Sequence, residues 1–299
     1  MSTPMPLPRP TVSARRRKAS AMRTSTGPLR WAATTLTWLF VLTSVAALVW
    51  MVLQAFRDTR AILDRPWGLP DQLSFDNFVQ AWTVSDFATA TWNSLWVTVV
   101  SSVLTVAVAA PAAYHLSRHD SRVTRNLTLF FVLGLGVPVQ VILIPLFIML
   151  NSVYLVDSLV GLNLIYIGLS MPFTVFLLTG FFRSLPTELE EAASLDGATP
   201  AGTFWRIMLP VAKGGILTAF VLQVIGHWNE TLLALTFLQS TDNYTLPVAL
   251  ISFVQQQTYS GADWGGLFAG LCIIVLPMLA VYVWLGRRLT EGLTLGMGK

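Results

Sequence analysis

Four carboxylates lie within nine residues of each other in the stretch TELEEAASLDGATPAGTFWRIMLP, residues 187–210, of a chain that is otherwise strongly apolar. They are Glu188, Glu190, Glu191 and Asp196. Such a charged segment could lie on lipid headgroups, but anionic lipid would repel it. The pattern therefore favours a surface that docks against another protein.

The sequence lacks the motifs of common catalytic, metal and nucleotide sites. It contains no HExxH, GxSxG or GxxxxGK[ST] motif, so neither a zinc protease, a serine hydrolase nor a P-loop ATPase is indicated. His115, His119 and His227 are too scattered for a zinc site, and the single cysteine, Cys272, excludes an intrachain disulfide. We predict no catalytic residue, no metal and no cofactor bound by this chain. If it serves in energised transport, the energy enters through another polypeptide.

Local chemistry predicts that residues 187–210 form a helical hairpin. Thr187 and Glu190 have the spacing of a capping box at a helix start, and Gly197 can end that helix in a left-handed conformation. Thr199 is a suitable N-cap for a second helix, with Pro200 at its first position. One apolar face of the second helix would be formed by Phe204, Ile207 and Met208.

The composition identifies the elements that must hold this hairpin. Hydrophobic residues make up 54% of the 299 residues and charged residues 11%, well below the roughly 25% of a soluble domain. A membrane span needs about 20 mostly apolar residues. We predict an all-α integral membrane fold with six transmembrane helices, the third distorted at Gly134, Gly136 and Pro138. The predicted spans are about 31–56, 93–117, 126–150, 158–182, 214–238 and 264–285.

Lysine and arginine are unequally distributed between the connections. Of the 19 basic residues, all but Arg57, Arg60 and Arg65 lie in the termini or in the second-to-third and fourth-to-fifth connections. Because cytoplasmic loops are enriched in basic residues, both termini and the hairpin are predicted to be cytoplasmic. The net charge of +4 thus needs no nucleic-acid partner. The predicted organisation is a disordered basic tail over 1–30, a six-helix domain over 31–290 and a cytoplasmic C-terminal tail over 291–299.

The hairpin sequence EAASLDGATPAGTFWRIMLP resembles the EAA loop of ABC importer permease subunits, which has the form EAA-x-x-DGA-x-x-x-x-x-F-x-x-I-x-LP. Its DGA is similar to the carbohydrate-uptake branch, in particular to the second permease of maltose-type systems. LSFDNFVQAW, HWNETLLALTFL, YTLPVAL and GLTLGMGK resemble other segments of that branch, so the likeness covers most of the chain from Trp31 onward. The matching residues are Glu191, Ala192, Ala193, Asp196, Gly197, Ala198, Phe204, Ile207, Leu209 and Pro210.

The resemblance implies a multi-pass permease subunit of a binding-protein-dependent sugar importer in a bacterial cell membrane. The implied partners are a second permease subunit, two ATPase subunits that bind ATP and magnesium, and an extracytoplasmic solute-binding protein. The matching residues would couple the pathway to ATP hydrolysis. Glu191 and Asp196 would make polar contacts with an ATPase, the small residues would permit close approach, and Phe204, Ile207 and Leu209 would anchor the second helix.

Polar and aromatic side chains in or beside the spans are candidates for the solute pathway that the resemblance implies. Amides could bind sugar hydroxyls, aromatic rings could stack on sugar rings, and the glutamate could contact solute or binding protein. The alternatives are interhelical hydrogen bonds for the amides and an interfacial belt for the aromatic residues. The candidates are Gln140, Asn163, Tyr166, Gln223, Trp228, Asn229 and Glu230.

Two positions depart from the family pattern. Lys213-Gly214-Gly215 stands where a further proline is common, and Thr231 stands where an aromatic residue is common. The sequence does not specify the solute, which stays open between a monosaccharide, a disaccharide and a glycerol-phosphate-like compound. A stand-alone secondary carrier and a membrane scaffold subunit remain alternative functions.

Overall fold

The computed structural model describes residues 28–84, 86–261 and 263–296. These residues are mainly helical and include no β-strand, so the predicted all-α class is confirmed. The chain divides into two units, Met1–Met51 and Val52–Lys299. In the first unit the structure describes the larger part of helix α1, Pro28–Gln54. This helix carries no charged residue from Trp31 to its end, as a membrane-crossing helix requires.

The second unit contains short helices, long apolar helices and the hairpin. Helix α9 includes a π-helical turn over Phe204–Met208. The elements are α2 (Thr59–Asp64), α3 (Asp76–Val84), α4 (Phe87–Arg118), α5 (Arg122–Gly134), α6 (Val139–Ser152), α7 (Leu159–Ser184), α8 (Glu188–Leu195), α9 (Pro200–Val211), α10 (Lys213–Asn229), α11 (Leu232–Phe237), α12 (Leu246–Ser260) and α13 (Trp264–Gly296).

Among the described residues, four helices are long and apolar enough to cross a membrane in one pass, namely α1, α4, α7 and the first part of α13. Two bent pairs, α5 with α6 and α9 with α10, meet the same test together. Counting each pair as one span gives six, which agrees with the predicted number.

The third predicted span, 126–150, is broken between α5 and α6, which meet at 102°. Pro138 directly precedes α6 and has no amide hydrogen with which to continue a helix. Gly134 ends α5 so close to α7 that a Cβ there would lie 2.9 Å from Cγ of Pro172. The distortion predicted from Gly134, Gly136 and Pro138 is therefore present, as a full bend rather than a kink.

The fifth predicted span, 214–238, is not one continuous helix. Helix α10 ends at Asn229 and α11 begins at Leu232. Glu230 between them has extended backbone, with φ −70° and ψ 128°. Apolar composition continues across this break and conceals it in the sequence. At its other end, α10 follows α9 through a 74° bend.

The centre of the second unit is formed by α4, α7 and α10. The pairing of α4 with α7 is the most extensive between helices, and α10 packs against both. Small residues of α4 such as Ser101, Ala109 and Ala113 are fully buried there, which lets the helix backbones approach closely. Phe182 and Leu178 of α7 fill the space between the helices. The hairpin is attached to this centre.

The structure corrects two further boundaries. Helix α12 occupies a connection, 239–263, in which no helix was predicted, because its apolar run is too short for a span. Helix α13 continues past the predicted span end at residue 285 and through much of the predicted tail, 291–299. The predicted disordered tail, 1–30, lies outside the described residues up to residue 27; its last three residues begin α1.

The loop between α6 and α7 is fastened to the chain after α11 by Asp157, Gln239, Ser240 and Asn243, here called the Asp157 clasp. Oδ1 of Asp157 accepts hydrogen bonds from the amides of Gln239 (2.9 Å) and Ser240 (3.0 Å). The main-chain carbonyl oxygen of Asp157 accepts a hydrogen bond from Nδ2 of Asn243 at 2.7 Å. Asp157 has φ +56°, which is uncommon for a non-glycine residue, so these bonds hold an unfavourable backbone conformation.

The clasp also changes the acidity of the carboxyl group. Burial alone would raise the pKa of Asp157, but hydrogen bonds from Ser240, Gln239 and Asn243 outweigh it and lower the pKa to about 2. The pKa of an unfolded aspartate is about 3.9. Because the folded value is lower, the clasp stabilises the fold above about pH 4, and this contribution is lost as the pH falls towards about 2.

We expect Asp157→Ala to increase amide hydrogen exchange of residues 239–243 about tenfold at pH 6, because a hydrogen bond to a carboxylate contributes about 1.5 kcal/mol or more. Exchange measured by mass spectrometry on the purified chain tests this. Asp242→Ala is the matched control, since Asp242 is exposed and its carboxylate is not part of the clasp. Equal exchange in the two variants would show that the clasp does not hold the loop.

Candidate functional site: the hairpin and the buried polar cluster

The turn of the hairpin has the geometry that its sequence predicts. Gly197 has φ +76°, a left-handed conformation that glycine adopts without steric cost. Its amide donates to the carbonyl of Ser194 at 3.1 Å, and the amide of Ala198 donates to the carbonyl of Ala193 at 2.9 Å. These two bonds form a Schellman motif, which satisfies the last carbonyls of α8.

The start of α9 is also as predicted. The hydroxyl of Thr199 accepts a hydrogen bond from the amide of Gly202 at 3.1 Å, and Pro200 occupies the first helical position. Thr199 has extended backbone, as an N-cap requires. The second helix therefore starts at a fixed residue and a fixed angle from the turn.

The predicted capping box at the start of α8 is wrong. Thr187 already has helical backbone, with φ −74° and ψ −21°, and its side chain caps no amide. Glu190 instead accepts a hydrogen bond at 2.7 Å from Nε of Arg118, the last residue of α4. Nη2 of Arg118 donates to the carbonyl of Leu185 at 3.1 Å. The ion pair thus connects the hairpin to the end of a span, and both side chains are largely buried.

The other side of the hairpin is inserted into the core. Phe204 lies with its ring centroid 5.1 Å from that of Tyr114 and is 5% exposed, while Met208 is fully buried. Leu209 packs against the same core cluster. Ile207 is half-buried, and Pro210 is exposed next to the bend into α10. The π-helical turn over 204–208 brings Phe204 and Met208 to the same buried side.

Only some residues of the matching motif lie on the exposed face of the hairpin. Glu191, Ala192, Asp196 and Ala198 are exposed. Ala193 is only 3% exposed, so it is packed against its own chain and cannot offer the close approach expected of it. Of the matching motif, the exposed face therefore presents two carboxylates and two small residues around the glycine turn.

A buried polar cluster joins α4, α7 and α10 farther along the helices. It comprises Ser102 of α4, Ser170 and Tyr166 of α7, His227 of α10, and Glu230. Ser170 Oγ lies 2.9 Å from Nε2 of His227, and Ser102 Oγ lies 3.2 Å from Nδ1. The ring of Tyr166 stacks on the imidazole at 4.9 Å between centroids. Each ring nitrogen of the histidine therefore has a hydroxyl partner, and three helices meet at one side chain.

Glu230 closes this cluster and produces the break after α10. Its Oε2 accepts a hydrogen bond from the hydroxyl of Tyr166 at 2.7 Å. The two carboxylate oxygens also accept bonds from the amides of Leu233 (2.8 Å) and Ala234 (3.1 Å). The carboxylate thus satisfies the first free amides of α11, where negative charge is favourable. A side chain predicted for solute contact is engaged in fixing the start of a helix.

The cluster does not have the geometry of a hydrolase site. A serine next to a histidine could be an activated nucleophile if a carboxylate oriented the imidazole. Here Glu230 binds Tyr166 instead, and both ring nitrogens of His227 are already occupied by serine hydroxyls. Across the described chain, no group of three or more His, Cys, Asp or Glu side chains could hold a metal ion. The cluster connects helices.

The remaining pathway candidates do not meet at one place. Asn163 accepts a hydrogen bond from Ser101 of α4 at 2.6 Å, and Gln223 donates to Thr174 of α7 at 2.8 Å. These are the interhelical bonds that the sequence left open as an alternative. The other three lie on α10 (Trp228 and Asn229) and on α6 (Gln140). Trp228 donates to the carbonyl of Ile274 at 3.3 Å. Asn229 is exposed and bonds within its own helix, and Gln140 is exposed.

Three important residues were not among the predicted site residues. Arg118, Ser102 and Ser170 make contacts across 57 to 125 residues of sequence, and no local pattern indicates such pairs. His227 was visible as a histidine three residues before Glu230 inside an apolar run. That position was the available signal for a buried polar cluster.

Comparison with known proteins places these features in a family context. A family model described as "Binding-protein-dependent transport system inner membrane component" matches residues 104–294, more than half of the chain. The diacetylchitobiose uptake system permease protein NgcG of Streptomyces coelicolor is 34% identical over 261 residues, 86% of each chain. The trehalose transport system permease protein SugB of Mycobacterium tuberculosis is 31% identical, over 84% of this chain and 91% of its own.

Solved structures share the fold. A chain from the crystal structure of a bacterial ABC transporter involved in the import of the acidic polysaccharide alginate has a TM-score of 0.75 at 20% identity. The match covers 94% of this chain and 99% of that chain. A chain of the alginate transporter in complex with a pentasaccharide-bound periplasmic protein has a TM-score of 0.57 at 17% identity.

We expect the Arg118–Glu190 ion pair to contribute a coupling free energy of about 1–2 kcal/mol, because both side chains are largely buried and pairs in contact are not additive. The measurement is a double-mutant cycle of Arg118→Gln and Glu190→Gln, read as the free energy of unfolding of the purified chain in detergent. Glu191→Gln is the control, since this neighbouring carboxylate is exposed; its effect should stay within about 0.5 kcal/mol. Additive single variants would contradict the role of the pair.

We expect Tyr166→Phe to lower the free energy of unfolding by about 1.5–3 kcal/mol, because it removes a hydrogen bond to a carboxylate but keeps the ring that stacks on His227. Tyr244→Phe makes the same chemical change at a 3.2 Å bond to the carbonyl of Gln239 at an exposed site and should cost under about 1 kcal/mol. A smaller loss for Tyr166→Phe than for Tyr244→Phe would exclude a stabilising cluster.

Proposed function

The chain belongs to the binding-protein-dependent transport system inner membrane component family, and on that premise we propose that it forms half of a sugar pathway coupled to separate ATPase subunits. It is a permease subunit of a binding-protein-dependent importer. Sugar as the solute is supported by relatives named for diacetylchitobiose and trehalose uptake. The proposed partners are a second permease, two ATPase subunits that bind ATP and magnesium, and an extracytoplasmic solute-binding protein.

One observation supports the proposed coupling role of the hairpin. The hairpin is fixed to the helical centre on one side and free on the other. Arg118 holds its first helix and the Phe204 contact with Tyr114 holds its second, while Glu191, Asp196 and Ala198 remain exposed. A rigid element that touches both a motor and the spans is what coupling between two states requires. In this proposal both termini and the hairpin lie on the cytoplasmic side of a bacterial cell membrane.

The pathway itself is proposed to use exposed rather than buried polar groups. Asn163, Gln223 and Tyr166 are engaged in bonds between helices or to Glu230. Asn229 and Gln140 are the exposed members of the candidate set. These two exposed amides would meet a solute in a cavity shared with a second permease, since neither bonds to another described helix.

We expect Ala198→Cys to form a cross-link with the ATPase subunit in the assembled transporter, because Ala198 is exposed beside the glycine turn. Ala193→Cys is the matched control: it is five residues away but buried, so it should form little or no cross-link. The native Cys272 is fully buried and should give no background. Cross-linked bands on a denaturing gel, identified by mass spectrometry, provide the measurement.

Two outcomes would contradict the proposal. If neither cysteine captures an ATPase subunit, the hairpin is not the contact. If Ala198→Cys does cross-link but the complex shows no solute-stimulated ATP hydrolysis that depends on this chain, the chain is a scaffold. Solute uptake by the chain alone, driven by an ion gradient, would favour the secondary-carrier alternative.

A further inference from the structure

An apolar cavity of about 360 Å³ lies between α5, α7 and the first turns of α10. It is at the end of the helices that carries the hairpin. Its walls include Leu116, Phe131, Val175 and Phe181. Its volume falls within the roughly 300–1,000 Å³ typical of small-molecule sites.

The mouth of this cavity is basic. The cavity continues into a more polar recess of about 600 Å³, with which it shares four lining residues, Arg183 among them. Arg125 and Arg183 line the recess, and neither forms an ion pair with another described residue. Arg118 also lines it but is neutralised by Glu190. Two free guanidinium groups against one carboxylate, Asp120, leave a net positive mouth.

One hydroxyl in the cavity wall has no partner. Threonines in helices commonly return their hydroxyl to the carbonyl four residues earlier. Thr128 and Thr218 of the same wall do so, at 2.8 and 2.9 Å. Thr179 is 5% exposed and its hydroxyl has no hydrogen-bond partner among the described residues. A buried polar group without a partner costs about 1–3 kcal/mol, which a ligand acceptor could offset.

From these observations we propose that this cavity and its mouth form a binding site for one anionic phospholipid. The acyl chain occupies the apolar cavity, and the phosphate lies between Arg125 and Arg183. Thr179 is four residues before Arg183 on α7, about 6 Å deeper at 1.5 Å per residue. That depth suits the ester carbonyl of a lipid whose phosphate is at the mouth, and the unpartnered hydroxyl would donate to it.

The lining argues for a lipid and against a helix of a partner subunit as the occupant. The cavity is apolar inside and basic at its mouth, which matches the order of acyl chain and anionic headgroup along a phospholipid. The positive mouth then selects an anionic headgroup, because each basic residue near a membrane surface contributes about 1 kcal/mol of attraction to anionic lipid.

The test measures lipid binding by the full chain, delipidated in neutral detergent, by native mass spectrometry. Phosphatidylglycerol is titrated against phosphatidylcholine with the same acyl chains. We expect selective binding of one phosphatidylglycerol, weakened roughly 30-fold by the double variant Arg125→Gln, Arg183→Gln. Arg122→Gln is its control, because this basic residue at the start of α5 does not line the recess and should leave binding unchanged.

A second variant blocks the cavity instead of the mouth. Gly180 lines the cavity, and a Cβ there would meet no atom within 4 Å. Gly180→Leu should therefore fold normally, fill the cavity and abolish binding. Gly168→Leu is the control on the same helix, since its Cβ is equally free of contacts and it does not line the cavity.

Four results would overturn the proposal. They are equal binding of the two lipids, undiminished binding to Gly180→Leu, displacement of the lipid by soluble glycerol phosphate at equal concentration, and loss of the lipid when the chain is assembled with its second permease. The third would mean that the recess recognises phosphate alone, and the fourth that the partner covers the cavity. None of these results bears on coupling, because ATP hydrolysis is not measured.

Discussion

The hairpin depends on one ion pair between residues that are far apart in sequence. Arg118 ends a 32-residue helix, and its guanidinium group holds both Glu190 and the carbonyl of Leu185. Without this contact α8 would be held by the packing of buried residues such as Ala193 and by the chain at its two ends. Every proposed role of the hairpin requires that its position follow the position of the spans, and this contact provides that connection.

Contacts between polar residues far apart in sequence also determine the interior of the bundle. Polar groups between apolar helices must satisfy one another, since no water is available to do so. His227 meets this requirement by binding serines of two helices, and Glu230 meets it by binding Tyr166 and the free amides of α11. Both side chains are therefore engaged in contacts within the bundle. Their hydrogen bonds fix how α4, α7 and α10 are oriented relative to one another.

Local backbone chemistry was readable from the sequence, and contacts between distant residues were not. The turn at Gly197, the start of α9 at Thr199 and the distortion near Pro138 follow from the dihedral limits and missing donors of a few residues. The pairing of Glu190 was predicted wrongly because two partners compete for it, and the stronger one lies 72 residues away. The break at Glu230 was missed because hydrophobic composition continues across it. Helix α12 was missed because a short apolar segment in a connection has no pattern that distinguishes it from a loop.

The two attachments of the hairpin have a mechanical consequence. Tyr114, which contacts Phe204, and Arg118, which contacts Glu190, are one turn apart on the same side of α4. A body held at one point can swivel in every direction, whereas a body held at two points can turn only about the line that joins them. A force applied at the glycine turn across that line is therefore passed to α4 through both contacts.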